Sequence, residues 1–290
     1  MTRRLLRAVR ASVHLLVPLA LAGLAGCTSP VPARGAGDTV AFAPPSDSLI
    51  PSDAAGRSIR RGRALLAHTR DSLPTHVGAA LQCVSCHPQD GRQAGAMPWV
   101  GVYARYPQYR SRSASMSLIE DRVNDCFQRS MNGTALDPAS GEMRDIVAYL
   151  AFLSRGVPVG ARVAGQGLVP LRVGRGDSAA GAALFQANCA RCHGPGGAGT
   201  VAAPPLWGDS SFNIGAGMAR ARTAAAFIRR NMPLDRPGTL TDQQAADVAA
   251  YITSQPRPDF PGKEHDWPAG GAPPDVPYRL LSRPTAPPGN

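Results

Sequence analysis

Cys83-Val84-Ser85-Cys86-His87 returns later in the chain as Cys189-Ala190-Arg191-Cys192-His193. Two thiols three positions apart, followed at once by His, attach a haem through thioether bonds and offer the imidazole to its iron. A lone Cys-x-x-Cys is also a zinc half-site or a redox pair. The adjacent His, present in both copies, selects the haem. The pattern predicts two covalently attached haem c groups, one on Cys83 and Cys86 and one on Cys189 and Cys192. His87 and His193 are the first iron ligands, and electron transfer is the chemistry implied.

The N-terminus indicates the compartment. Arg3, Arg4, Arg7 and Arg10 precede an apolar run from Ala11 to Ala25, short for a membrane span, so residues 1–26 read as a signal peptide. The run closes on Leu24-Ala25-Gly26-Cys27, which resembles a lipobox and predicts cleavage before Cys27, with lipidation of that residue. An ordinary signal peptide with a chance Cys is the alternative. Both place the mature chain in the periplasm, the first as a membrane-anchored lipoprotein. Residues 27–56, rich in Pro, Gly, Ala and Ser, read as a flexible tether.

Of six cysteines, one is the lipid site and four belong to the haem motifs, which leaves Cys126 without a disulfide partner in an oxidising compartment. It is either a buried small hydrophobe or an iron ligand. Internal repetition favours the ligand. Met232, before Pro233, lies 39 positions beyond His193, where small c-type cytochromes place the distal ligand, and Cys126 lies 39 positions beyond His87. Both halves continue into similar wording, Ile146-Val147-Ala148-Tyr149-Leu150 and Val248-Ala249-Ala250-Tyr251-Ile252. The expected iron ligands are therefore His87 with Cys126 and His193 with Met232. Met218 is the runner-up for the second iron and Met97 a crevice-lining residue. Met116, Met131 and Met143 are packing residues; His68, His76 and His265 have ordinary surface or core roles.

The fold class is all-α: two cytochrome c-type domains in tandem, residues 57–158 and 177–256, joined by a Gly/Pro-rich linker over 159–176. Helices are predicted over 58–69 and 178–189. A capping box at Ser117-Leu118-Ile119-Glu120 opens a helix to about Met131, with Gly133 as a stop, and a second box at Thr241 opens a helix that ends before Pro256. Residues 257–290 form a Pro-rich tail running extended over the surface. No strand pattern stands out.

Arg122, Cys126 and Ser130 are four apart and share a helical face. A thiolate ligand flanked by a guanidinium and a hydroxyl makes an anion site beside a redox centre, and Arg112 lies close enough in sequence to join it. Arg129 is off that face and reads as a surface charge. Formal charge is +11, or +7 without the four leader arginines, a balance that attracts a dianion or an acidic redox partner. Export and haem attachment argue against a nucleic-acid partner.

Three stretches then resemble the dihaem thiosulfate dehydrogenases: Asp121 through Gly133, Phe212-Asn213-Ile214-Gly215-Ala216-Gly217-Met218-Ala219-Arg220, and Pro256 through Lys263. The similarity spans about residues 57–280, and the first domain is similar to that of the SoxA cytochromes. The resemblance implies oxidation of two thiosulfates to tetrathionate at a His/Cys-ligated haem, with Cys126 as distal ligand and Arg112, Arg122 and Ser130 as the thiosulfate pocket. Electrons would leave through the His/Met-ligated haem to a c-type cytochrome or similar acceptor. Some relatives carry Lys before the distal Met. Here Asn231 stands there and the only Lys is Lys263, so no exchange of Met for Lys is expected. Tetrathionate reduction, another sulfur-compound oxidoreduction, and a non-catalytic dihaem electron carrier are the alternatives.

Overall fold

A computed structural model of the protein describes residues 39–281. The expected leader and Cys27 lie outside the described residues, as do residues 282–290. Helices α1 (Ala54–Ala67), α2 (Ile119–Asp125) and α3 (Gly141–Leu153) build the first domain; α4 (Ser178–Asn188), α5 (Ala221–Asn231) and α6 (Asp242–Ser254) build the second. Asp53 caps α1 by accepting the Gly56 N–H at 3.0 Å, so this helix starts ahead of the predicted residue 58. Asp177 caps α4 and Cys189 follows its last residue, close to the predicted span. The box at Thr241 forms as expected: Gln244 N–H donates to Oγ1 at 3.2 Å and Thr241 N–H donates to Gln244 Oε1 at 2.9 Å.

Leu66 of α1 packs with Ile146, Tyr149, Leu150 and Leu153 of α3 in the first core, and Phe185 of α4 with Val248 and Ile252 of α6 in the second. Burying each such aliphatic or aromatic side chain contributes about 1.5–3 kcal/mol. The first and last helices of each domain cross closely at a glycine. A Cβ on Gly62 would stand 1.9 Å from the Asp145 carbonyl oxygen, and one on Gly181 would stand 1.9 Å from that of Asp247. The two aspartates occupy matching places in the repeated wording, and both tie their crossing together. Asp145 accepts from Arg61 at 2.7 and 3.0 Å and from the Ser58 hydroxyl; Asp247 accepts the Asp177 N–H at 2.8 Å. Trp99 meets Tyr149, and Trp207 meets Tyr251, edge to face at 82° in both domains. The Gly181→Ala variant is expected to lose about 1–3 kcal/mol, read as a lower melting midpoint of the haem-loaded protein, because backbone must move to admit the methyl group.

Several expectations are corrected. Residues 39–53 are no free tether. Strand β1 (Thr39–Val40) pairs in parallel with β4 (Arg162–Val163), and Asp47 bridges Arg63 at 2.8 Å and Arg92 at 2.6 Å. The linker is likewise laid on the first domain, where Gln166 Nε2 donates to the Val100 carbonyl at 3.0 Å. A short antiparallel hairpin, β2 (Gln108–Arg110) with β3 (Ser115–Ser117), leaves no strand pattern in the sequence because three-residue strands carry too little alternation. Ser117 belongs to β3, so the cap of α2 shifts by one residue, with the Asp121 carboxylate accepting the Leu118 N–H at 2.7 Å. Asn132, at φ 47°, takes the left-handed position expected of Gly133. Met131 and Met143 are buried as expected, but Met116 is exposed on β3. Among the described residues, no helix is long and apolar enough to cross a membrane.

Candidate functional site

In the first domain, Cys83, Cys86, His87 and Cys126 line one cleft of about 200 Å³, with Leu66, Leu81, Trp99 and Phe127 in its walls. His87 Nδ1 lies 2.5 Å from the carbonyl oxygen of Met97. A carbonyl only accepts, so Nδ1 carries the proton and Nε2 presents its lone pair. Burial pushes His87 down to about 4, against the pull of the Met97 carbonyl, which keeps the ring neutral at pH 7. Met97 holds its carbonyl there from a left-handed backbone position at φ 52°, a conformation that costs a non-glycine residue about 1–3 kcal/mol. His193 repeats the arrangement with the Pro204 carbonyl at 2.8 Å. Paired thiols, a neutral oriented imidazole and apolar walls fit a covalently bound haem in the first domain.

Cys126 opens a π-helical turn, Cys126–Ser130, that continues α2 and closes with Met131 N–H donating to the Cys126 carbonyl at 2.8 Å. Such turns recur at functional sites because they re-aim side chains. Arg122 Nη1 donates to Cys126 Sγ at 2.7 Å, and Ser130 lines the same cleft. The sulfur beside it holds Arg122 above its ordinary range, against the burial that would lower it. Among the described residues, no Asp or Glu lines this cleft.

Arg112 does not line that cleft. It borders a neighbouring polar one with Arg110, Asp121, Asp125, Arg129 and Asp266, on the adjacent stripe of the same helix. Its Nη1 donates to the Gly215 carbonyl at 2.6 Å, and its guanidinium stacks 4.6 Å from the Trp267 ring. Arg129, read from sequence as a surface charge, is half-buried and grips Asp266 with two bonds of 2.8 and 2.9 Å while stacking 4.1 Å from Phe260. Tyr278 donates to the same carboxylate at 2.6 Å; burial, and then Asp266, push this phenol up to about 12, so it stays protonated. The C-terminal tail is thus a clamp on two arginines. No local signal announced it, since Asp266 lies 137 residues from Arg129. Asp266→Asn is expected to cost about 3–5 kcal/mol, seen as a lower melting midpoint with both haems retained, because it removes the carboxylate that Arg129 grips with two bonds and leaves only the longer Asp125 contact of 3.7 Å.

In the second domain, Met232 follows α5 and borders the same core cluster as Cys189. Met218 instead lines the first domain's cleft as well as that core. Asn231 is buried and bonds across the domains, donating to the Gly95 carbonyl at 3.3 Å and accepting from Gln93 Nε2 at 2.9 Å. Lys263 pairs with Asp259 at 2.6 Å.

Two helical domains, each presenting Cys-x-x-Cys-His with its imidazole tied to a carbonyl, define a two-domain c-type cytochrome. A family model described as SoxA/TsdA, cytochrome c domain, matches residues 75–159, and one described as cytochrome c oxidase, cbb3-type, subunit III, matches residues 176–252. The chain is 47% identical over 233 residues to the thiosulfate dehydrogenase of Allochromatium vinosum, covering 77% of this chain and 86% of that one. It is 43% identical over 239 residues to that of Psychrobacter arcticus, covering 80% and 73%. A solved thiosulfate dehydrogenase (TsdBA) from Marichromatium purpuratum superposes with a TM-score of 0.73 at 36% identity, over 76% of this chain; the chain spans half the length of that one. The chain belongs to the thiosulfate dehydrogenase family, and it is an oxidoreductase.

Proposed function

We propose that the protein oxidises two thiosulfates to tetrathionate in the cleft of the first domain. The observation that carries this reading is the Arg122–Cys126 contact of 2.7 Å in a cleft shared with Cys83, Cys86 and His87 and, among the described residues, lined by no carboxylate. In this reading two covalently attached haem c groups would supply one-electron redox chemistry, one that His87 and Cys126 would hold and one that His193 and Met232 would hold.

Arg122 receives the sulfonate of thiosulfate by charge-assisted hydrogen bonds, with Ser130 as a further donor. The outer sulfur then faces Cys126. The Cys126 thiolate and the outer sulfur form a sulfur–sulfur bond, with two electrons leaving. A second thiosulfate attacks the outer sulfur of that adduct, the new bond completes tetrathionate, and Cys126 departs as thiolate. Arg122 stabilises both stages by offsetting the repulsion between two dianions, an effect worth most where they meet. Arg112, on the neighbouring cleft, contributes to the field that draws anions to this side of the helix.

A second haem held by His193 and Met232 would take up the electrons at a higher potential than a thiolate ligand would give, and would hand them to a c-type cytochrome or similar acceptor. The chain acts in the periplasm, anchored through a lipid on Cys27. Thiosulfate-dependent reduction of an artificial acceptor by the haem-loaded protein, with tetrathionate quantified, tests the reaction. Release of the chain from membranes by Cys27→Ala tests the anchor.

A further inference from the structure

The segment Phe212–Arg220 belongs in sequence to the second domain but is docked on the helix that carries Cys126. Asn213 N–H donates to the Arg129 carbonyl at 3.1 Å, and Asn213 Nδ2 donates to the Gln128 carbonyl at 2.8 Å and to Asn132 Oδ1 at 3.1 Å. The Gly215 carbonyl takes Arg112 at 2.6 Å, and Ile214 N–H donates to the Pro258 carbonyl at 2.9 Å. Asn213 is buried, so these bonds fix the segment firmly. Its last residue, Arg220, projects into the first domain's cleft, where it is a lining residue together with Arg122 and Cys126.

Among the described residues, two buried side-chain nitrogens lack a hydrogen-bond partner, Arg92 Nε and Arg220 Nε. Arg92 has its charge met by Asp47 at 2.6 Å. Among the described residues, Arg220 makes no ion pair, its Nε has no hydrogen-bond partner, and no Asp or Glu lines the cleft it enters. Arg220 is half-buried, but its Nε is shut off from solvent, and a polar atom so enclosed is costly to leave unpaired unless a ligand supplies the partner.

We infer that Arg220 is the second oxyanion-binding cation of the first domain's cleft, contributed by the second domain, and that it receives an oxygen anion the protein chain does not supply. Two sources have the right chemistry: the sulfonate of thiosulfate, and a propionate of the first haem. The first makes Arg220 a substrate-binding residue opposed to Arg122, so that the active site is complete only when both domains are present; this part rests on the thiosulfate reading. The second makes it a positioning residue for the cofactor. Planar guanidinium geometry suits both, since each is met by paired hydrogen bonds.

The test uses the full-length, haem-loaded Arg220→Gln variant, with Arg220→Lys beside it to keep the charge if the first loads haem poorly. Thiosulfate KM and kcat are measured together with the first haem's reduction potential. A KM raised about tenfold or more, with kcat and potential little changed, assigns the sulfonate. A shifted potential at unchanged KM assigns the propionate. Arg220→Lys is expected to fall between parent and Arg220→Gln in whichever quantity moves. Parent-like KM, kcat and potential in both variants overturn the inference. Failure of the thiosulfate reading itself is separable, because the parent protein would then not oxidise thiosulfate, while the potential still reports on Arg220.

Discussion

The Cys126→Gly variant is expected to lose thiosulfate oxidation by at least about a thousandfold while both haems remain attached. The attachment cysteines and both motif histidines are untouched by this change. What disappears is the cleft sulfur to which Arg122 donates, at 2.7 Å. Turnover is measured with an artificial acceptor, and haem content by absorbance per chain. Cys126→Met sharpens the result: it offers iron a thioether but no sulfur able to form the covalent adduct. The proposed chemistry predicts an inactive Met variant, whereas a pure ligand role for Cys126 predicts recovery of activity. Near-normal turnover in the Gly variant contradicts the role of Cys126 altogether.

Arg122→Gln has the second largest expected effect, a fall in kcat/KM of about a hundredfold or more. Gln keeps an N–H donor, on a shorter side chain, but no charge. The loss is expected in kcat as well as KM, because the guanidinium faces both the anion that docks and the sulfur that reacts. Since Arg122 is largely enclosed and its charge is balanced by the neighbouring sulfur, raising ionic strength should rescue little of the loss. A change confined to KM would assign Arg122 to uniform binding of the anion and remove it from the sulfur chemistry.

The parts of this protein legible in its sequence are those where covalent chemistry or local geometry fixes spacing. Two Cys-x-x-Cys-His motifs announced the c-type domains, and the matched 39-residue intervals singled out Cys126 beside Met232. Repeated wording around Tyr149 and Tyr251 corresponds to real equivalence, down to the glycine–aspartate crossing in each domain. The four-residue interval from Arg122 to Cys126 placed a guanidinium at the sulfur because one helical turn separates them.

Illegible parts depend on contacts far apart in the chain. Arg129 read as a surface charge because its carboxylate lies in the tail. Sequence proximity places Arg112 with Arg122, yet the β2–β3 hairpin turns it to the neighbouring cleft. Residues 39–53 have the composition of a tether, but Asp47 meets two arginines that only the folded domain brings within reach. Arg220 stood inside a stretch whose likeness to a family was visible, while its place in the other domain's cleft was not.

The central claim is that thiosulfate is coupled to tetrathionate in the first domain's cleft. Its most direct measurement is product stoichiometry in the purified protein with both haems present, followed against an excess of a one-electron acceptor. The account predicts one tetrathionate for every two thiosulfates consumed and every two acceptor molecules reduced. Absence of thiosulfate-dependent acceptor reduction, with both haems attached and chemically reducible, would contradict it.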